Sequence, residues 1–121
     1  MKQRILVVDA DATNRKLLHV RLKNCGYEVL EAGDGQEAVD LAGKHHPDLV
    51  LLDVCMPGMS GHDVAARLKR DAATRDIPII MLTALSERAE IARAHANGVL
   101  DYVVKPFDAT ELQGKVRRAL G

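Results

Sequence analysis

The stretch Leu49-Val50-Leu51-Leu52-Asp53 decides the fold of this 121-residue chain. Four apolar residues without polar alternation are typical of a strand that is buried on both faces of a parallel sheet. Similar apolar runs occupy residues 5–8, 79–82 and 102–104, whereas the charged residues 27–31 are typical of an edge strand. The runs recur roughly every twenty to thirty residues, with helical patterns between them. The sequence therefore predicts an α/β domain of five strand–helix units, (βα)5, whose doubly wound, five-stranded parallel sheet has helices on both faces.

Capping residues mark the starts of the intervening helices. Five helices are predicted, the first over residues 12–24, and they begin after or near Asp11, Asp34, Gly61, Ser86 and Asp108. The fourth carries only one large aliphatic residue, Ile91, so it is predicted to be weakly anchored.

Composition excludes several classes of function. Seventeen Lys and Arg balance seventeen Asp and Glu, so the chain lacks the basic field that non-specific nucleic-acid binding requires. It has no run of about 18 apolar residues, and its first residues contain no signal peptide. Cys25 and Cys55 have no metal-ligand spacing and suggest a reducing compartment. We expect a single cytoplasmic domain over residues 1–121, without membrane insertion or direct nucleic-acid binding.

Four of the apolar runs end in chemically useful residues: Asp9, Asp53, Thr83 and Lys105. In a parallel sheet the carboxyl ends of all strands lie at one edge, where open α/β sheets bind their ligands. Carboxylates this close, with Asp11 nearby, would repel by about 4 kcal/mol at a separation of about 4 Å. A hard cation such as Mg²⁺ relieves that repulsion. The pattern predicts phosphoryl transfer, with a carboxylate as nucleophile and an ammonium group and hydroxyl holding the phosphoryl oxygens.

These residues resemble the receiver domains of two-component response regulators, over essentially the whole chain. The matching motifs are residues 5–9, residues 51–58 with Gly61, Thr83-Ala84, and residues 102–107. The resemblance implies a flavodoxin-like, CheY-like fold with strand order 2-1-3-4-5. It also implies a signalling module that assists its own phosphorylation and dephosphorylation, and no enzyme in the usual sense.

The resemblance also implies a role for each site residue. Asp53 would be the phospho-acceptor for a sensor histidine kinase or a histidine phosphotransfer protein. Asp9, Asp53 and the backbone carbonyl of Cys55 would hold Mg²⁺, with Asp11 as a candidate further ligand. Lys105 would pair with the phosphoryl group. The surrounding loops would be shaped by Met56, Pro57, Gly61 and Pro106, the last expected to follow a cis peptide bond.

A conformational switch is implied in the same way. Thr83 would turn toward the phosphoryl group and let Tyr102 move into the vacated space. The face formed by the predicted fourth helix, fifth strand and fifth helix would then dimerise or bind an effector. Candidate charges across such a dimer are Arg93, Asp101 and Arg118.

One position departs from the family pattern. Receivers usually carry two adjacent acidic residues after the first strand, and here the second of these is Ala10. We therefore expect weaker Mg²⁺ binding and slower phosphorylation, unless Asp11 bends in as a ligand. Alternatively, Asp11 is only the N-cap of the first helix.

Ala10 leaves two further interpretations open. The chain could be a pseudo-receiver, an interaction module that has lost metal binding. It could also be a haloacid-dehalogenase-like phosphatase, because Asp9-Ala10-Asp11-Ala12-Thr13 matches that family's D-x-D-x-T signature. Asp9 would then be the nucleophile and Asp11 the general acid, with Thr83 and Lys105 holding phosphate. The sequence also leaves open whether the domain stands alone or is the amino-terminal part of a larger regulator.

Overall fold

Strands and helices alternate along the chain in a computed structural model that describes residues 2–83, 92–93, 95–96, 98–105 and 108–121. The elements are β1 (Arg4–Val8), α1 (Ala12–Asn24), β2 (Glu28–Ala32), α2 (Gly35–His45), β3 (Leu49–Asp53), α3 (Gly61–Arg70), β4 (Ile79–Thr83), β5 (Asp101–Val104) and a C-terminal helix (Ala109–Leu120). Residues 92–93 and 95–96 are also helical. They fall in the predicted fourth helix, whose predicted cap, Ser86, lies outside the described residues.

The five strands form one parallel sheet in the order β2-β1-β3-β4-β5. The register places Val8 beside Leu52 on β3, and Asp53 beside Leu82 on β4. The predicted fold and strand order are confirmed, and the charged β2 lies at an edge. Strand order reverses at β1, and open α/β sheets bind their ligands at such a point, here beyond the carboxyl ends of β1 and β3.

Alternate strand residues pack against helices on the two faces of the sheet. On one face, Leu6, Val8, Val50 and Leu52 belong to a core that includes residues of α2 and α3. On the other face, the intervening strand residues pack with Leu18 and Leu22 of α1 and with the C-terminal helix. Every residue of β3 and β4 is buried, as unbroken apolar runs predict for strands covered on both sides.

Polar side chains cap the amino-terminal ends of the helices. Asp11, Asp34 and Asp108 accept hydrogen bonds from backbone amides of their helices, as predicted. At α3 the start near Gly61 is confirmed, but the cap is Ser60, which forms a capping box with Asp63. The prediction gave no cap for this helix.

Candidate functional site

Two carboxylates and one ammonium group meet at the carboxyl edge of the sheet. Asp9 follows β1 and is 1% exposed, and Asp53 ends the neighbouring strand β3 and is 8% exposed. Lys105, which follows β5, places its Nζ 3.6 Å from Asp9 Oδ2 and 3.5 Å from Asp53 Oδ2. The structure thus brings together three of the residues that the sequence singled out, with the lysine bridging the two acids.

Burial and the charge of Lys105 shift the pKa of Asp53 in opposite directions. Burial raises the pKa of its carboxyl above the usual value, and the carboxylate of Asp9 adds to that rise. The ammonium of Lys105 and the backbone N–H of Cys55, 3.3 Å from Asp53 Oδ1, lower the pKa but do not cancel the effect of burial. The surroundings of Asp53 therefore disfavour its negative charge, and an additional cation would stabilise the carboxylate.

Asp9 offers an oxygen for such a cation. Its Oδ1 accepts a hydrogen bond from the backbone N–H of Asp11 at 2.8 Å, whereas its Oδ2 is buried without a hydrogen-bond partner. A buried carboxylate oxygen that has no hydrogen bond and lies beside a second carboxylate fits a hard divalent cation such as Mg²⁺. Among the described residues, no group of three His, Cys, Asp or Glu side chains is arranged to hold a metal.

Asp11 is the N-cap of α1. Its Oδ1 accepts hydrogen bonds from the backbone amides of Thr13 at 2.8 Å and Asn14 at 3.3 Å, and the residue is exposed. This confirms the predicted cap. Its role as a metal ligand stays a prediction. Ala10, where the family usually has an acidic residue, is also exposed, so the backbone there leaves room for a longer side chain.

Thr83 lies at the end of β4, on the same edge as the carboxylates. It is 3% exposed, and its backbone carbonyl accepts a hydrogen bond of 2.6 Å from the N–H of Lys105. This bond ties the end of β4 to the residue that carries the ammonium group. The predicted switch threonine and the predicted phosphoryl-binding lysine are therefore fixed to each other through the backbone.

Tyr102, on β5, lies between His95 and the C-terminal helix. Its ring meets the His95 ring edge-on at a centroid separation of 6.3 Å, and Lys115 Nζ lies 5.2 Å from its centroid. Lys115 also donates to the backbone carbonyl of Tyr102 at 2.7 Å and pairs with Asp101 at 3.3 Å. Asp101, predicted as a cross-dimer charge, is thus paired within its own chain, whereas Arg93 and Arg118 are exposed.

The loop after Asp53 brings α3 against the end of β3. Gly61 donates its N–H to the Val54 carbonyl at 2.9 Å. A Cβ at Gly61 would overlap the carbonyl oxygen of Asp53 and lie 2.8 Å from Val54 Cα, so a side chain there would displace backbone. Met56 is buried in the core and Pro57 is exposed. Pro106 and the predicted cis bond before it lie outside the described residues.

Sequence reasoning missed an ion-pair network beside Asp9. Arg15 of α1 donates from Nη1 to the backbone carbonyl of Asp9 at 2.6 Å and pairs through Nε with Glu31 of β2 at 3.1 Å. His19 contacts the other carboxylate oxygen of Glu31 at 2.6 Å. The four-residue spacing of Arg15 and His19 places them on one helix face. Nothing in the sequence indicated that Glu31, on another element, would join them.

The chain matches the family model described as the response regulator receiver domain over residues 5–117. A probable transcriptional regulator, ycf27 of Porphyridium aerugineum, is 42% identical over 119 residues, which cover 98% of this chain and 48% of the relative. The phosphate regulon transcriptional regulatory protein PhoB of Pseudomonas aeruginosa is 45% identical over 116 residues, which cover 96% of this chain and 51% of the relative. The chain spans about half the length of these curated relatives.

Solved structures agree with this match. The chemotaxis protein CheY4 of Vibrio cholerae superposes with a TM-score of 0.95 at 31% identity, covering 99% of this chain and 100% of that one. Within the described ranges, every helix is too short or too polar to traverse a bilayer. Fold, site residues and sequence similarity therefore converge on one assignment: the chain belongs to the response regulator receiver domain family of two-component signal transduction.

Proposed function

We propose that this receiver domain accepts a phosphoryl group on Asp53 from a phosphohistidine of a sensor kinase or a histidine phosphotransfer protein. The observation that carries the proposal is the Lys105 ammonium within 3.6 Å of both Asp9 and Asp53 at the carboxyl ends of β1 and β3. Receiver domains are generally not enzymes. Here the domain would act as substrate and as catalyst of its own modification.

The transfer follows from the contacts of Asp53. One carboxylate oxygen attacks the phosphorus, a P–O bond forms, and the P–N bond to the donor imidazole breaks with its electron pair left on nitrogen. The product is an acyl phosphate of roughly two negative charges. Lys105, 3.5 Å from Asp53 Oδ2, supplies a positive charge to the phosphoryl oxygens. The Cys55 N–H, 3.3 Å from Oδ1, supplies a donor to the same carboxylate.

The residues that would hold Mg²⁺ are Asp9 and Asp53 through their carboxylates and Cys55 through its backbone carbonyl. The buried Oδ2 of Asp9, which accepts no hydrogen bond, supports this set. When bound, the cation would offset the negative charge that builds up on the phosphoryl oxygens. With Ala10 in place of an acidic residue, the set contains one carboxylate fewer than the usual receiver site.

Mapping the labelled residue tests the proposal. The chain is incubated with acetyl phosphate and Mg²⁺, and the acyl phosphate is located by chemical trapping and peptide mass spectrometry. We expect the label on Asp53. A label on Asp9 would instead indicate phosphatase-like chemistry, and the absence of any label would indicate a pseudo-receiver. Family membership and the burial of Asp9 favour the first outcome.

Restoring the missing carboxylate should strengthen metal binding. The change Ala10→Asp adds an oxygen ligand at an exposed position beside Asp9, and we expect Mg²⁺ affinity to rise about tenfold or more, equivalent to about 1.4 kcal/mol. Isothermal titration of Mg²⁺ against both chains measures this difference. Equal affinities would show that Ala10 does not limit metal binding.

The matched control is Asp11→Asn, which removes the neighbouring charge but keeps a good N-cap. If Asp11 is only the cap of α1, this variant keeps the Mg²⁺ affinity of the natural chain. A loss of affinity comparable to the gain from Ala10→Asp would instead identify Asp11 as the substitute ligand.

Removing the Thr83 hydroxyl should separate phosphorylation from switching. We expect Thr83→Ala to accept the label on Asp53 and to lose phosphorylation-linked dimerisation. A hydrogen bond to a charged group is worth about 1.5–3 kcal/mol, and full switching needs about 5.5 kcal/mol of differential stabilisation. Sedimentation velocity with and without phosphodonor measures the change. Thr83→Ser, which retains the hydroxyl, should dimerise normally, and unchanged dimerisation of the alanine variant would contradict the switch.

Residues 1–121 would form one receiver domain in the cytoplasm, with its output either in a further domain or in a separate effector. The half-length match to transcriptional regulators supports the first arrangement, and the full-length match to CheY4 supports the second. Its zero net charge argues against direct nucleic-acid binding by this domain. The face that includes β5 and the C-terminal helix would mediate dimerisation or effector binding.

A further inference from the structure

Asp9 is held at three points. Its N–H donates to the Ala32 carbonyl at 3.1 Å, its Oδ1 accepts from the Asp11 N–H at 2.8 Å, and its carbonyl accepts from Arg15 Nη1 at 2.6 Å. These bonds fix the backbone and one carboxylate oxygen. The remaining oxygen, Oδ2, is left facing Lys105 at 3.6 Å. Of the three contacts, the one from Arg15 is made by a side chain of another element and can be removed by substitution.

Arg15 is itself held in place by an ion pair with Glu31. Its Nε pairs with Glu31 Oε1 at 3.1 Å while Glu31 Oε2 contacts His19 Nδ1 at 2.6 Å, and the three side chains are only 20–29% exposed. Burial raises the pKa of Glu31, but the hydrogen bonds from His19 and Arg15 outweigh it, so the pKa lies below its usual value. Glu31 is thus a charged anchor for the guanidinium, which in turn reaches the end of β1.

The loop at Gly33 packs closely against the guanidinium of Arg15. A Cβ added at Gly33 would lie 3.3 Å from Arg15 Nη1, so the guanidinium packs close to the glycine backbone. Glu37 Oε1 accepts the Gly33 N–H at 2.7 Å and holds that loop in place. The planar guanidinium reaches two acceptors at once, the Asp9 carbonyl just after β1 and Glu31 on β2, which a lysine ammonium on a flexible stem does not match.

We infer that Arg15, anchored by Glu31 and His19, is a positioning residue that holds Asp9 with its Oδ2 directed toward Lys105 and the site at Asp53. This inference rests on the proposed function, since it assigns Arg15 to the same site. The network would matter more in this chain than in a receiver with two adjacent acidic residues. With Ala10 at the second position, Asp9 is the sole acidic side chain that the β1–α1 turn directs into the site.

The test compares Arg15→Ala, Arg15→Lys and Glu31→Gln with Arg4→Ala. Arg4 is a matched control because it pairs with Glu28 at 3.5 Å across the same two strands, at the opposite edge of the sheet. Mg²⁺ affinity is measured by titration calorimetry with the metal alone, and exchange of the Asp11 amide by NMR. That amide reports on Asp9 because it donates to Oδ1.

We expect Arg15→Ala to weaken Mg²⁺ binding about tenfold, as is usual for loss of a group that orients a metal ligand, and to speed exchange of the Asp11 amide. Arg15→Lys should fail to restore either property. Glu31→Gln should give a Mg²⁺ affinity and an exchange rate between those of the natural chain and Arg15→Ala. Arg4→Ala should change neither. Arg15→Ala behaving like Arg4→Ala, or full rescue by lysine, would overturn the inference.

Failure of the proposed function gives a different result. In that case the natural chain is not labelled on Asp53 by acetyl phosphate, whereas exchange of the Asp11 amide, measured without metal, still responds to Arg15. If Arg15→Ala does not fold, Glu31→Gln keeps the arginine and still weakens its anchor, so a faster Asp11 exchange in that variant supports the positioning role. An unchanged exchange rate there contradicts it.

Discussion

Replacing Asp53 by asparagine is expected to abolish labelling by acetyl phosphate completely and, in the absence of Mg²⁺, to make the folded chain more stable at neutral pH. The amide is not a nucleophile, so no acyl phosphate forms. It is also neutral, and the pocket disfavours the charge of Asp53 because burial and the Asp9 carboxylate raise its pKa. Intact-mass spectrometry after incubation with phosphodonor measures the first effect, and urea unfolding in EDTA measures the second.

The pH dependence of this stability has a definite sign. A carboxyl with a raised pKa binds more protons in the folded state, so it opposes folding as pH rises from its ordinary value of 3.8 through its folded pKa. The free energy of unfolding of the Asp53→Asn chain should therefore rise relative to that of the natural chain over this pH range and stay higher above it. Mg²⁺ should stabilise the natural chain more than the variant. Continued labelling of Asp53→Asn would show that another residue is the acceptor.

Replacing Lys105 by methionine is expected to have the second-largest effect. The ammonium bridges two buried carboxylates, and its removal leaves Asp9 and Asp53 to repel each other. Losing one partner of a buried pair costs about 3–5 kcal/mol, and because a quarter of the Lys105 side chain is exposed we expect about 1–3 kcal/mol here. The pKa of Asp53 should rise further, because its principal charge-stabilising partner is gone. Urea unfolding at neutral pH without Mg²⁺ measures the loss.

A double variant separates electrostatics from packing. In an Asp53→Asn background only one of the two carboxylates remains, so Lys105→Met should cost much less than in the natural chain. The loss should also shrink in the natural background as pH falls and the carboxyls take up protons. Equal costs in both backgrounds would show that the lysine stabilises the chain through its packed stem, independent of the acid pair.

Much of the architecture could be read from local pattern. The apolar runs around Leu51 and Ile80 predicted strands buried on both faces, and both are buried throughout. The acidic caps Asp11 and Asp34 predicted helix starts, because a cap needs only a side chain and the amides that follow it. The gathering of Asp9, Asp53 and Lys105 at one edge followed from parallel strands ending in reactive residues, which is a rule of topology.

Contacts between elements could not be predicted in this way. Arg15 reaches the carbonyl of Asp9 only because α1 packs beside β1 and β2, and Glu31 joins it from a different strand. Likewise, Asp101, a predicted charge across a dimer, pairs with Lys115 of its own chain, since the C-terminal helix packs beside β5. Each contact joins residues of different elements, and the distance between their side chains is set by packing, which the local sequence pattern does not describe.

By itself, then, the sequence determined the alternation of strands and helices, the (βα)5 sheet and the set of residues at its carboxyl edge, because periodicity and caps act over a few neighbouring residues. Only the tertiary structure decided that Asp9 Oδ2 is left without a hydrogen bond and lies 3.6 Å from Lys105 Nζ. It also decided that Arg15 holds the end of β1. Hydrogen bonds and charge interactions act over a few ångströms in space, and packing alone sets which groups come that close.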